Sequence, residues 1–295
     1  MKKIFLIILI FLGGWYYPGS SQKVITIGVV TDVQYCNCNT DGTRYYKSSL
    51  AKLDECIKFF NQYKLDFVTH LGDLIDRDFT GYDSVLTRFK KSTAPVYHVL
   101  GNHDFNIGNR FKKEALQKIG LEQYYYSKVI EDWQFIFLNG DELSFFFPKT
   151  KTQRDETQQL YKRLIAKLKC NALPWNGGIS KKQMSWLKLQ LEDAAKSNRK
   201  VVIVCHFPVY PAACHNLWND EELISLLTKY KCVKAYFCGH NHKGDYGFKD
   251  GIHYITFKGM VETADSTSFS KVTFTQDSIF VEGHGRELSR RLKIL

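Results

Sequence analysis

The sequence predicts an α/β sandwich, and three observations predict it. Short β-branched runs recur along the chain. Segments with apolar residues at helical spacing separate most of them. The last part of the chain is strand-like throughout. Strands that alternate with helices imply right-handed crossovers and a buried sheet. The strand-rich tail implies a second sheet, or an antiparallel edge added to the first.

The elements follow in order. Residues 24–31 (VITIGVVT) are the first core strand. Leu50, Leu53, Ile57 and Phe60 recur at helical spacing within 45–63. Residues 65–71 form a short apolar strand, 84–89 a short helix and 94–100 a third strand. A helix over 110–119, a strand over 134–138 and a long helix over 153–168 come next. The loop 170–178 breaks the pattern with Pro174, Gly177 and Gly178. Ser180 is placed to cap a helix over 181–195, with Trp186 and Leu187 on its apolar face. A strand at 201–205, a helix at 221–230 and a strand at 233–238 complete the alternation. Strands at 253–257, 271–275 and 278–282 form the tail.

The chain has 295 residues, 44% of them hydrophobic and only 6 Pro, which describes an ordered globular protein. No fixed-period repeat or low-complexity tract interrupts it, so a single domain over 23–295 is expected. Residues 1–22 read as an export signal. Lys2 and Lys3 precede an apolar run over 4–12, and Gly13, Gly14, Gly19, Ser20 and Ser21 supply small residues near a cleavage point. The run is too short for a stable membrane span; a retained anchor or a buried strand are the other readings. Export implies a periplasmic or extracellular protein. The net charge of +11 falls to +9 without Lys2 and Lys3. Such a surface favours anionic ligands, although the cations are scattered and a merely solvated basic face is equally consistent.

Eight Cys suit an oxidising compartment. Cys205 and Cys238 lie in apolar runs and read as small hydrophobes. Cys36 and Cys38 read as too close for an easy mutual bridge. Cys170 with Cys214 or Cys36 is conceivable, and no pair has zinc-ribbon spacing.

Metal-binding side chains fall just past the ends of apolar strands. Asp32 and Gln34 follow the first, Asp73 the second, Asn102 and His103 the third. His206 follows VVIVC, and His240 and His242 follow VKAYFC. Strand ends on one sheet edge face a common crevice, so five strands deliver carboxylate, amide and imidazole groups to one place. The set contains no thiolate and suits Mn, Fe, Zn or Co. Seven ligands exceed the need of one tetrahedral ion. Two ions roughly 3.5–4 Å apart, sharing one carboxylate, would use them all; Asp73 is the candidate for sharing.

The order Asp-x-Gln, Gly-Asp-x-x-Asp, Gly-Asn-His-Asp, His and Gly-His-x-His resembles that of the calcineurin-like metallophosphoesterases, from Asp32 to His242. The resemblance implies two mixed β-sheets flanked by helices and a two-metal hydrolase. It implies that Asp32, Gln34, Asp73 and His242 hold one ion, and that Asp73, Asn102, His206 and His240 hold the other. His103 would touch the substrate phosphate, and Asp104 would orient His103 by accepting a hydrogen bond. Gln34 stands where many members of the superfamily have His. The Asp-x-Gln form is similar to that of the manganese-dependent ADP-ribose/CDP-alcohol diphosphatases. So are Arg44-Tyr45-Tyr46, Trp175-Asn176-Gly177-Gly178-Ile179, His206-Phe207-Pro208-Val209-Tyr210-Pro211 and Gly259-Met260-Val261-Glu262-Thr263. That resemblance implies Mn²⁺ and a small nucleotide-diphosphate substrate.

Arg44 and Arg77 are candidates to neutralise a second phosphate, Arg77 favoured by its place after the second motif. Phe105, Phe207 and Tyr210 are candidates to stack on a base or ribose, with core packing as the plainer role. His70, His98, His215, His253 and His284 read as strand or loop histidines, with His215 bordering the site. The loop 170–178 is a candidate wall over the site or a simple interhelical turn. Other readings are a phosphomonoesterase, a phosphodiesterase such as a nuclease or phospholipid-cleaving enzyme, and a non-catalytic nucleic-acid-binding protein. The purple acid phosphatase pattern fits poorly, because Leu74 and Ile75 stand where that group has a ligating Tyr.

Overall fold

The structure is a computed structural model that describes residues 24–147 and 150–294. The chain runs β1 (Ile25–Val30), α1 (Ser49–Phe60), β2 (Phe67–His70), α2 (Gly81–Phe89), β3 (Val96–His98) and α3 (Ala115–Lys118). It continues through β4 (Tyr126–Ile130), β5 (Trp133–Phe137), α4 (Lys151–Ala166), α5 (Lys181–Lys196), β6 (Lys200–Val204), α6 (Asp220–Leu227) and β7 (Val233–Cys238). It ends with β8 (Asp245–Lys249), β9 (Ile252–Thr256), β10 (Ser268–Phe274), β11 (Ser278–Gly285) and β12 (Arg290–Lys293). Ser180 caps α5 as expected, its side chain accepting from the Gln183 N–H.

Two mixed six-stranded sheets form, in the orders β12-β11-β10-β1-β2-β3 and β4-β5-β6-β7-β9-β8. β1, β2 and β3 are parallel, and so are β5, β6, β7 and β9. The tail does both things the sequence allowed. β10 to β12 extend the first sheet antiparallel from β1, while β9 joins the second sheet with β8 as its edge. Alternation along β1 shows the layering. Ile25, Ile27 and Val29 enter the core between the sheets, whereas Val30 packs with Leu53, Ile57 and Phe60 of α1. The outer face of the second sheet is covered by α5 and α6 through Leu187, Leu191 and Leu223. Phe135 sits between the sheets, its ring 4.9 Å from that of Phe67 and 5.4 Å from that of Phe274.

Two expectations change. The helix expected over 110–119 shrinks to Ala115–Lys118. Residues before it make i to i−3 turns, such as Glu114 N–H to Phe111 O, that let Phe111 stack on Phe79. Cys36 and Cys38 are joined as a disulfide, with Cα atoms 5.0 Å apart, a separation that a bridge spans. Cys170 and Cys214 are exposed thiols, while Cys205 and Cys238 are buried as expected. The proposed export signal, residues 1–22, lies outside the described residues. No helix among the described residues is long and apolar enough to cross a membrane.

Phe135→Ala tests the inter-sheet core. Removing a fully buried ring that bridges both sheets should cost about 3–5 kcal/mol in chemical denaturation. A loss under about 1 kcal/mol would mean that the sheets do not pack through it.

Candidate active site

β1, β2 and β3 of one sheet and β6 and β7 of the other end at the same side of the sandwich. Their following loops carry Asp32 and Gln34, Asp73, Asn102 and His103, His206, and His240 and His242. The site is therefore assembled across both sheets. Backbone bonds tie its loops together: Gly239 N–H to His206 O, Val261 N–H to Asp32 O, and Asp32 N–H to Gly72 O. Asp32, Gln34, Asp73 and His240 all adopt positive φ, between 41° and 65°. Non-glycine residues rarely hold that conformation, and it concentrates where packing must aim a side chain. Gly72 and Gly101 are there for space as well. A Cβ on Gly101 would meet the His206 ring at 2.8 Å, and Gly72, at φ 108°, faces the same ring.

Asp73 is fully buried at the centre. Its Oδ1 accepts from His103 N–H at 2.9 Å, and its Oδ2 accepts from Gln34 Nε2 at 3.0 Å. One oxygen or nitrogen each from Asp73, His206 and His240 lies within 4.8 Å of the others. The histidines are each fixed by one ring nitrogen. His206 Nδ1–H donates to Leu71 O at 3.0 Å, which leaves the Nε2 lone pair facing Asp73 Oδ2 and Asn102 Oδ1, both at 3.3 Å. Glu262 lies 2.6 Å from His242 Nδ1, which leaves Nε2 facing Asp32 Oδ1 and the Gln34 Nε2 donor, both at 3.2 Å. Asn176 Oδ1 accepts from His240 Nε2–H at 2.9 Å, leaving Nδ1 as the lone-pair nitrogen. The amide orientation of Asn176 is set, because its Nδ2 donates to Asn171 O and Cys214 O.

At His206 acceptors thus point at acceptors, an arrangement that positive charge reconciles. Asp32 Oδ1 and Gln34 Oε1 are buried without a hydrogen-bond partner. The same field acts on the imidazoles. Burial disfavours charge on His206, yet Asp73, Asp32 and Asp141 push it up to about 10. Burial likewise opposes charge on His242, and Asp32 and Glu262 push it up to about 9. Asp32 falls to about 2 because His242 outweighs its burial. The donor set therefore fits divalent cations: neutral imidazole nitrogens, carboxylates and amide oxygens converge where cationic charge is needed.

The centre opens into a cleft of about 350 Å³, walled by Arg44, Asn106, Phe146, Trp175 and His215 around Gln34, Asn102, His103, His240 and His242. His215 borders it as expected, its ring 5.7 Å from that of His240. The loop 170–178 contributes Trp175 to the wall and Asn176 to His240.

The expectations for five residues are corrected. His103 is oriented by Asp76, whose Oδ1 lies 2.9 Å from His103 Nδ1, and not by Asp104. Asp104 turns the other way and accepts backbone N–H bonds from Asp73, Leu74 and Gly101 at 2.9–3.0 Å, and from the Tyr82 hydroxyl at 3.2 Å. It organises the loops and does not reach the cleft. Phe105 is fully buried against Phe147 and offers no face to a ligand; Phe207 is likewise buried, packed on His206 and His240. Tyr210 packs on Tyr254 outside the cleft lining, and Arg77 is held by Asp76 and the Tyr46 hydroxyl, so Arg44 is the arginine at the cleft. Asp76, Asn176 and Glu262 had no orienting role in the sequence reading. Each carried a signal of position alone: Asp76 as the second carboxylate of Gly-Asp-x-x-Asp, and Asn176 and Glu262 within the stretches that resemble the diphosphatases.

Asp104→Ala should destabilise the fold by about 3 kcal/mol, because three buried backbone N–H groups lose their acceptor. His103→Ala should cost less than Asp104→Ala, because Arg77 still pairs with Asp76. Equal unfolding midpoints for Asp104→Ala and the parent would refute the loop-organising role.

Comparison with known proteins agrees with this geometry. The calcineurin-like phosphoesterase family model matches residues 25–244. A manganese-dependent ADP-ribose/CDP-alcohol diphosphatase of Bos taurus is 27% identical, with 90% of this chain and 93% of that protein covered. The Arabidopsis thaliana protein of the same name is 29% identical, with 90% and 96% covered. A dimetal phosphatase from Danio rerio is 23% identical and superposes with a TM-score of 0.83 over 92% of this chain and 99% of that one, a likeness of fold. With a buried Asp–His cluster at the ends of five strands and the family model spanning all five motifs, the chain belongs to the calcineurin-like phosphoesterases, as a binuclear metallophosphoesterase.

Proposed function

We propose that this enzyme hydrolyses the phosphoanhydride of nucleotide-diphosphate conjugates such as ADP-ribose or CDP-alcohols, with Mn²⁺ as the native ion. The observation that carries the metal reading is the set of lone pairs converging on Asp73. Asp32, Gln34, Asp73 and His242 would hold one ion, and Asp73, Asn102, His206 and His240 the second. Bound divalent cations lower the pKa of water towards neutrality and take up charge on phosphoryl oxygens. The residues of the chain do the rest. Asp76 holds His103 by Nδ1 and leaves Nε2 towards the cleft. Burial opposes charge on His103, but Asp73 and Asp76 together raise its pKa above the ordinary histidine range. A protonated Nε2–H can then donate to the phosphoryl or leaving oxygen as charge develops there. Arg44 lines the cleft and would pair with the second phosphate, and Phe146, Trp175 and His215 on its wall would take a base or ribose. The diphosphate preference is supported by Gln34 in place of the commoner His and by the names of the relatives that match over most of the chain.

A substrate panel with added Mn²⁺ tests this reading. ADP-ribose and CDP-choline should turn over at least roughly tenfold faster than a simple phosphomonoester, and chelation should abolish both activities. A preference for the monoester would favour the phosphomonoesterase reading; a preference for single-stranded DNA would favour a nuclease. Asp76→Asn should lower kcat about 10–100-fold while leaving KM within a few-fold, because it acts through His103. An unchanged kcat would remove Asp76 from the mechanism. Glu262→Gln should weaken Mn²⁺ binding about 10–100-fold in calorimetry; unaltered affinity would show that the Glu262–His242 contact does not orient a ligand.

A further inference from the structure

We propose that Cys170 and Cys214 are oxidised to a disulfide that staples the two loops holding Asn176 against His240. Cys170 lies just past α4, and Cys214 lies between β6 and α6. Both are exposed, whereas Cys56, Cys205 and Cys238 are buried and Cys36 is already joined to Cys38. The neighbouring Cys214 side chain, with burial, pushes the Cys170 thiol up. The main chains around them are tied together by two asparagines. Asn176 Nδ2 donates both to Asn171 O at 3.0 Å and to Cys214 O at 2.7 Å, so one nitrogen draws the neighbour of Cys170 and Cys214 itself to a common point. Asn171 Nδ2 adds a bond to Leu217 O at 2.8 Å. The two cysteines therefore lie on loops already held against one another.

The link to the active centre is direct. The amide that ties these loops together spends its remaining atom, Oδ1, on His240 Nε2. Trp175, next in the chain, and His215, next to Cys214, both line the cleft. A covalent strap between Cys170 and Cys214 fixes the wall and, through Asn176, the direction of the His240 lone pair. Without it, the same contacts rest on hydrogen bonds between solvent-facing loops.

The oxidant is a small-molecule disulfide. One cysteine thiolate attacks it, forming a mixed disulfide and expelling one thiolate. The second cysteine then attacks the protein sulfur of that mixed disulfide and expels the other. Two electrons pass to the oxidant, which leaves as two thiols, and each cysteine gives up one proton. The bridge closes a long loop containing α5 and β6, so it also restrains the unfolded chain.

The test uses the full chain equilibrated with oxidised glutathione and digested without reduction. A Cys170 peptide linked to a Cys214 peptide is expected, lost in Cys170→Ser and in Cys214→Ser, where the remaining thiol carries glutathione instead. The strapped protein should melt roughly 5 °C or more above either variant. It should also release Mn²⁺ to a chelator about tenfold more slowly than Cys170→Ser. Separate glutathione adducts on Cys170 and Cys214 of the parent chain, with no cross-linked peptide, would overturn the proposal. Equal release rates would overturn the part that assigns the strap a hold on His240. Neither readout uses turnover, so a wrong substrate assignment leaves both unaffected.

Discussion

A carboxylate sealed from solvent, Asp73, sets the terms for everything around it. An isolated buried carboxylate costs many kcal/mol unless partners compensate it. Here the compensation is partial by design of the loops. His103 N–H and Gln34 Nε2–H supply two hydrogen bonds, yet the nearest imidazoles turn lone pairs towards it. The remaining demand is for positive charge. Burial opposes charge on the imidazoles, yet Asp73 with Asp32 pushes His206 up to about 10, and Asp32 with Glu262 pushes His242 up to about 9. Divalent cations answer it better, because they engage several lone pairs at once and leave the imidazoles neutral.

The rest of the architecture keeps that demand in place. Each imidazole is anchored by the ring nitrogen turned away from the centre: His206 by Leu71 O, His240 by Asn176, His242 by Glu262 and His103 by Asp76. An anchored tautomer cannot relieve the site by rotating or by moving its proton. Asp104 does the corresponding work for the main chain, drawing the loops after β2 and β3 onto one carboxyl group. The inter-sheet core through Phe67, Phe135 and Phe274 then fixes the ends of β1–β3 against those of β6 and β7. Stability and chemistry are thus coupled through the loops and separable at single residues, as the contrast between Asp104 and His103 illustrates.

Much of this was legible in the sequence, and the gaps share causes. The core strands announced themselves as apolar runs. The three strands that escaped notice, β4, β8 and β12, are all sheet edges. Edge strands are half exposed and carry charge, so DYGFK and RRLK lack an apolar signature. The ligand types were legible because short motifs bind them to strand ends. Their orientation was not. His240 meets Asn176 across 64 residues and His242 meets Glu262 across 20, contacts that exist only once the sheets have packed. Asp104 misled because adjacency to His103 suggested a local bond, whereas the 3₁₀ turn His103–Phe105 sends the two side chains in opposite directions. Arg77 misled in the same way, its neighbour Asp76 claiming it before any substrate.

Anomalous diffraction from crystals grown with Mn²⁺ tests the central claim most directly. Two peaks roughly 3.5–4 Å apart, with Asp73 in contact with both and with His206 and His240 on one of them, are the predicted result. A single peak that Asp73 does not touch, or manganese bound only at surface carboxylates, would contradict it.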